Sequence, residues 1–327
     1  MNAVLIIDKP AGLTSHDVVN RVRRILNQRS IGHLGTLDPM ATGVLPLVVG
    51  SFTRLAQFYT TSEKTYEGAI RFGFSTDTYD AEGEPTSPPQ DVTLQKDELE
   101  TIAAKFRGVI EQLPPPFSAK KIQGVPAYKL ARKHREVVLQ PVLVEIKEFE
   151  ILSIDAARAH FRARVASGTY MRSVAHDMGK ALGCGAHLES LRRTAVAEFT
   201  LADAHSLDEL AAAAGKSTPC SAGGHDRAAD SAPDPVGTLE ALDSLCVHPR
   251  KLLPNFPSVT ADDPTANRIR AGRTVNLPEL SRARQVKVFA GQRDLIAIAT
   301  RVAGSLFHPK LVLATSDAPA VRTAHGT

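Results

Sequence analysis

The order of apolar and polar residues divides the chain into short strands and amphipathic helices. Val4 to Ile7 is an apolar run that reads as a short strand. Thr14 or Ser15 then offers a helix cap, with Asp17 well placed in the first turn. Val18, Val19, Val22, Ile25 and Leu26 recur at helical spacing and predict one buried face. Val44 to Val49 is continuously apolar, the pattern of a fully buried strand, and Lys64 to Phe74 predicts another strand. A polar loop follows from Ser75 to Asp80, closed by Gly83. Lys96 to Phe106 predicts a helix, and Pro114-Pro115-Pro116 interrupts what comes after it. Val142 to Ile154 and His160 to Val165 read as strands. Met171, Val174, Met178, Ala181 and Leu182 form a helix stripe ending near Gly183, with both methionines expected in the core.

Strands and helices mix without a regular βαβ alternation, which predicts an α+β fold rather than a doubly wound one. Near residue 215 the composition changes. Gly215 to Gly237 is rich in Gly, Ala, Ser, Asp and Pro, with Val236 its only bulky aliphatic residue, as in a flexible insertion. Val286 to Phe289, Leu295 to Ala299 and Lys310 to Leu313 then predict the short strands of a small β-barrel or sandwich. The expected division is a first domain over 1–214, a linker over 215–237, a second domain over 238–315 and a disordered tail over 316–327.

A chain of 327 residues can bury two cores, and 43 % hydrophobic with 23 % charged residues is ordinary for a soluble protein. The net charge of +4 says little about partners, but its distribution says more. From Phe117 to Lys147 seven cations meet only Glu136 and Glu145, a local excess of five. Cys184, Cys220 and Cys246 are too few and scattered for a disulfide framework or a metal site, which suggests a reducing compartment. Ala3 to Ile7 is too short for a signal peptide or membrane span, so a cytoplasmic protein is expected.

The candidate chemistry lies in Gly32-His33-Leu34-Gly35-Thr36-Leu37-Asp38-Pro39-Met40-Ala41-Thr42-Gly43, between a helix-like and a strand-like segment. Its glycines admit backbone angles closed to other residues, and Pro39 fixes φ just after Asp38. A carboxylate held this way suits a nucleophile or general base, although a lone loop Asp is by default a turn or capping residue. Other signals are negative. Gly183-Cys184-Gly185-Ala186-His187-Leu188 follows a helix, the wrong context for a dinucleotide fingerprint. Ser118-Ala119-Lys120-Lys121 matches S-x-x-K without the companion motifs of serine acyltransferases. No His, Cys, Asp and Glu cluster has metal-ligand spacing. These absences point away from nucleotide-dependent, redox and metal chemistry, and no cofactor is expected.

The Asp38 loop resembles the catalytic loop of the TruB family of tRNA pseudouridine synthases, which ordinarily reads close to GHTGTLDPLATG; Leu34 and Met40 are the departures. Asp8-Lys9-Pro10-Ala11-Gly12-Leu13-Thr14-Ser15-His16 is similar to the family's opening KPxGxTS motif, read mainly as strand, turn and helix cap. Lys64-Thr65-Tyr66-Glu67 resembles its K-x-Y segment, Thr76 to Gly83 its TDTxDxEG, and Gly168-Thr169-Tyr170-Met171-Arg172 its GTYIR. The resemblance implies a mixed-sheet catalytic domain followed by a small β-rich, PUA-like domain. It implies that Asp38 acts on the sugar, that Arg172 pairs with it, and that Tyr66 stacks on the base as a proposed proton-transfer group. Such an arginine is expected to lower the pKa of Asp38 and keep it ionised at neutral pH. Asp80 would help hold the site, Lys64 is expected to bind substrate, and Tyr170 and Leu191 would wall the pocket. His33 would fill the gap left by a flipped base. Gln112 to Lys121, with Tyr128, Arg132 and Lys133, resembles the RNA-contacting segment, so Lys120, Lys121, Tyr128 and Arg132 are expected to contact RNA. His134, where the family often has Gly, departs from it. Arg268, Arg270 and Arg273 are candidate acceptor-stem contacts.

The expected activity is therefore conversion of uridine to pseudouridine at position 55 of the tRNA T loop, by a monomer with no required protein partner. Asp38 would either attack C1′ or remove a C2′ proton. A non-catalytic RNA-binding or tRNA-folding protein using the same basic surface is the alternative, and a guide-RNA-dependent relative is a third reading.

Overall fold

The computed structural model describes residues 1–117, 121–122, 125–126, 139–215, 235–278 and 283–313. The chain runs β1 (Ala3–Lys9), α1 (Ser15–Ile25), β2 (Ile31–His33), β3 (Thr42–Val49), β4 (Lys64–Phe72), α2 (Lys96–Ala104) and β5 (Gly108–Gln112). The short pair β6 (Lys121–Ile122) and β7 (Val125–Pro126) follows, then β8 (Val142–Asp155), β9 (Arg158–Val165), α3 (Met171–Leu182), β10 (Ala186–Val196) and β11 (Phe199–Thr200). Helices α4 (Leu207–Ala213) and α5 (Pro235–Ser244) lead to β12 (Ser258–Ala261), α6 (Asp263–Arg270), β13 (Val275–Asn276), β14 (Gln285–Ala290), β15 (Asp294–Ala303) and β16 (Leu306–Val312). Residues 235–237, assigned from composition to the linker, thus begin a helix; the rest of that segment after Gly215, like the tail, lies outside the described residues.

The first sheet has the order β1-β3-β10-β4-β9-β8-β5, with β2 beside β3 and β11 beside β10. It is mixed because β10 runs parallel to β3 and antiparallel to β4. Strands β1 and β3 explain their unbroken apolar runs. Leu5, Ile7, Leu45 and Leu47 enter one core with the buried side of α1, while Val4, Ile6, Val44 and Val48 enter a second core on the other face. Thr14 caps α1 in a reciprocal capping box with Asp17. The central β10 has no clear counterpart in the periodicity. Bulges between Leu188 and Ser190 and between Arg193 and Ala195 break the alternation that marks a strand.

Close approach of β10 to β3 depends on Gly43, whose φ is +98°; a Cβ there would lie 2.2 Å from the Arg193 carbonyl oxygen. The same register sets Arg193 opposite both Gly43 and Tyr66.

The second sheet, β12-β14-β15-β16-β13, has its own core around Val286, Val288, Ile296, Ile269 and Phe307. It also shares the second core of the first sheet through Leu252, Phe289, Leu295 and Leu311. At this seam Glu198 Oε1 accepts from the Tyr59 hydroxyl at 2.6 Å and the Leu253 amide at 2.9 Å. The buried Lys287 ammonium donates to the carbonyls of Arg250 and Leu252 at 2.8 and 2.5 Å. No helix among the described residues is long and apolar enough to cross a membrane.

Candidate active site

Asp38 lies in the turn between β2 and β3, close to the N-terminal end of α3. Arg172, on the first turn of α3, reaches it from below: Nη2 donates to Oδ1 at 3.0 Å, and Nε lies 3.0 Å from Oδ2. The Nε contact is an ion pair without hydrogen-bond geometry. The remaining guanidinium donors are occupied. Nη1 donates to the Thr78 carbonyl at 3.2 Å and sits 3.3 Å from Asp80 Oδ2, while Nη2 also donates to the Phe117 carbonyl at 3.0 Å. One buried cation thus joins two carboxylates. The Asp80 side chain is 5 % exposed and that of Asp38 35 %, so Asp38 is the one that an incoming group can reach.

Asp38 opens on a cleft of about 250 Å³ lined by Lys64, Tyr66, Tyr170, Leu191 and Arg172, with Gly35 to Leu37 at its edge. Though partly accessible, the carboxylate is walled by protein on most sides. Burial raises its pKa from the ordinary 3.8, against the opposing pull of Arg172, and Asp80 adds to the rise. The net direction reverses the expectation from the arginine alone, because desolvation outweighs the ion pair.

Several supports of this geometry escape a reading of the sequence. Arg193, 1 % exposed, donates to the carbonyls of Val44, Thr36 and Gly35 at 2.8, 3.2 and 3.1 Å, and so fastens the Asp38 turn to the sheet. Lys9 is fully buried, and its ammonium donates to Pro10, Leu13 and Pro39 oxygens at 2.8, 2.6 and 3.1 Å. Burial brings its pKa down to about 8 while Asp38 pulls it up. Buried Gln112 brackets the Tyr170 peptide, accepting from its amide at 2.8 Å and donating to its carbonyl at 3.1 Å. A cation satisfied by carbonyls has no charged partner in the sequence, so charge pairing gives no sign of it. For Arg193 the available sign is an arginine between apolar Leu191 and Ala195 in a segment of strand length.

Asp38, Tyr66, Tyr170, Arg172, Leu191 and Lys64 come together at the cleft, and Asp80 stands behind Arg172. Lys64 is buried with its ammonium donating to the Ser62 carbonyl at 2.6 Å, and burial lowers its pKa to about 8. His33 is not among the lining residues; its Nδ1 accepts from the Gly35 amide at 3.3 Å. Lys120, Tyr128 and Arg132 lie outside the described residues, as does the side chain of Lys121. A larger cavity, about 630 Å³, lies between the start of β1 and the second sheet. Its arginines are committed to ion pairs, Arg270 with Asp294 at 3.1 Å and Arg293 with Asp243 at 2.9 Å, so the chemistry belongs to the smaller cleft.

Two family models match the chain: the N-terminal domain of TruB family pseudouridylate synthases over residues 23–171, and the C-terminal domain of tRNA pseudouridylate synthase B over residues 172–222. A tRNA pseudouridine synthase B of Solibacter usitatus (strain Ellin6076) is 48 % identical over 96 % of this chain and all of its own length. One from Azoarcus sp. (strain BH72) is 37 % identical over 96 % of each chain. Among solved structures, a chain of a Cbf5-Nop10-Gar1 complex superposes with a TM-score of 0.63 at 25 % identity, covering 93 % of this chain and 79 % of that one. With its large mixed sheet, its second, smaller sheet and an Asp–Arg pair at the foot of an aromatic cleft, this chain belongs to the TruB family of pseudouridylate synthases.

Proposed function

We propose that the protein isomerises uridine to pseudouridine in tRNA, at position 55 of the T loop, with Asp38 acting on the ribose of a uridine turned out of the stack. The observation that carries this reading is a reachable carboxylate, paired with Arg172, in one cleft with Tyr66, Tyr170 and Leu191. Relatives named tRNA pseudouridine synthase B supply the substrate class. In the reaction the N1–C1′ bond breaks, the base turns, and a C5–C1′ bond forms. C5 loses a proton and N1 gains one, so the formula is unchanged and no electron or group donor is consumed.

Asp38 either adds to C1′ or takes a C2′ proton; both routes need it ionised. Arg172 provides the counter-charge that offsets repulsion between this carboxylate and RNA phosphates. Tyr66 stacks on the base and serves the proton exchange, with Tyr170 and Leu191 as the other walls. Flipping the base costs a few kcal/mol, part of which His33 offsets by filling the gap. Lys64, Lys120, Lys121, Tyr128 and Arg132 contact the RNA, and the PUA-like unit over 238–315 grips it beyond the catalytic unit over 1–214. The enzyme works as a cytoplasmic monomer without a cofactor.

Purified protein is expected to release tritium from 5-tritiated uridine in tRNA and in a T-arm hairpin. Asp38→Asn should bind the hairpin without releasing tritium. Absence of release by the unaltered protein from every tRNA tried would overturn the reading in favour of a pure RNA binder.

A further inference from the structure

Tyr79 and His176 stand behind the Asp38–Arg172 pair and have no part in the steps above. Their rings stack with centroids 3.7 Å apart and planes 9° from parallel. Tyr79 has φ +65°, a left-handed backbone that a residue with a side chain rarely adopts. Its neighbours impose that conformation. The Tyr79 amide donates to the Thr76 carbonyl at 3.3 Å, and its carbonyl accepts from the Leu188 amide at 3.0 Å. The resulting turn presents two acceptors to Arg172, the Thr78 carbonyl at 3.2 Å and Asp80 Oδ2 at 3.3 Å.

His176 follows Arg172 by four residues on α3, so the two side chains share one face of the helix. The imidazole is therefore the surface against which the Thr78–Asp80 turn closes. Burial lowers its pKa to about 4, and Lys180, one turn further along, pushes the same way. A neutral ring suits this place, since burial and Lys180 both disfavour a cation there. Among the described residues the His176 Nδ1 has no hydrogen-bond partner, and the contact the ring makes is its stack on Tyr79. On the tyrosine side burial, and after it the facing charge of Asp177, disfavours ionisation of the Tyr79 hydroxyl.

We infer that Tyr79 and His176 form a positioning pair for the isomerisation: their stack holds Thr78 and Asp80 where they orient Arg172, and Arg172 in turn orients Asp38. This rests on the proposed reaction, and the test separates the two. Turnover of a T-arm hairpin is measured for the unaltered protein, His176→Ala, Tyr79→Gly, the double variant and His176→Phe. Each loss of a ring should lower kcat about tenfold, with KM and hairpin affinity within about twofold. The double variant should be no slower than the slower single one, because the rings act as a unit. His176→Phe keeps a flat neutral ring and should recover most of the rate. Tyr79→Gly keeps the test open if His176→Ala folds poorly, since glycine accepts the positive φ. Unchanged kcat in the single variants, losses confined to KM, or multiplied losses in the double variant would overturn the pair. No turnover by the unaltered protein would instead overturn the reaction on which it rests.

Discussion

The floor of the cleft and the seam between the two sheets both hold charge away from water, but they satisfy it differently. At the seam, Glu198 is met by a hydroxyl and a backbone amide, and Lys287 by two carbonyls. At the cleft, Arg172 is shared between two carboxylates, and one of them keeps a face open to an incoming group. Charge closed off by fixed dipoles stabilises a fold and has nothing left to offer. Charge held by opposite charge beside open space can act on something else, and burial makes its ionised form costly, which is why the Asp38 pKa is raised.

The sharpest way to break this contrast is Asp38→Asn. Turnover should fall about a thousandfold or more, as tritium release reports. The fold should lose nothing. A carboxyl whose folded pKa lies above its unfolded value contributes most at low pH. That contribution is lost as pH rises through the raised pKa, so at pH 7 the ionised side chain is a net cost. The unfolding midpoint of Asp38→Asn at pH 7 should therefore equal or exceed that of the unaltered protein.

Arg172→Ala comes next. It leaves Asp80 buried without its cation, and should cost about 3 kcal/mol in chemical denaturation and about a hundredfold in kcat. In the unaltered enzyme kcat/KM should fall as pH drops through a value above 3.8. In Arg172→Lys, which loosens the contact, that acid limb should move higher still. Glu198→Ala, at the seam, should lower stability by about 2 kcal/mol with kcat unchanged. A large loss of kcat there would erase the distinction between the two regions. The smallest effect is expected from Asp8→Asn. Its 2.7 Å pair with Arg192 is well exposed, and denaturation should register about 0.5 kcal/mol or less.

The sequence displays this architecture unevenly, for physical reasons. Strands β1 and β3 are legible because burial on both faces leaves only apolar residues, and α1 because its cap and its stripe agree. The strand β10 is hidden by its bulges and by two arginines inside it. The Asp38 turn and its partners are legible as a motif, since Asp38, Tyr66, Tyr170 and Arg172 each sit in a short recognisable run. What holds them is not, because Arg193, Lys9 and Gln112 bind backbone groups that every residue carries. The departure at Leu34 has a simple account: it is buried in the second core beside Val44 and Val48. The sign of the Asp38 shift required the enclosing walls as well as the neighbouring arginine.

Gly43 bears on how the gene for this protein can vary. Every single-base change in a glycine codon that yields another amino acid introduces a Cβ. At Gly43 that atom would meet the Arg193 carbonyl at 2.2 Å. No amino-acid change one base away lets β3 and β10 keep their spacing, so neutral drift has no first step at this position. The turn that carries Asp38 is thereby tied to a codon that can vary only silently.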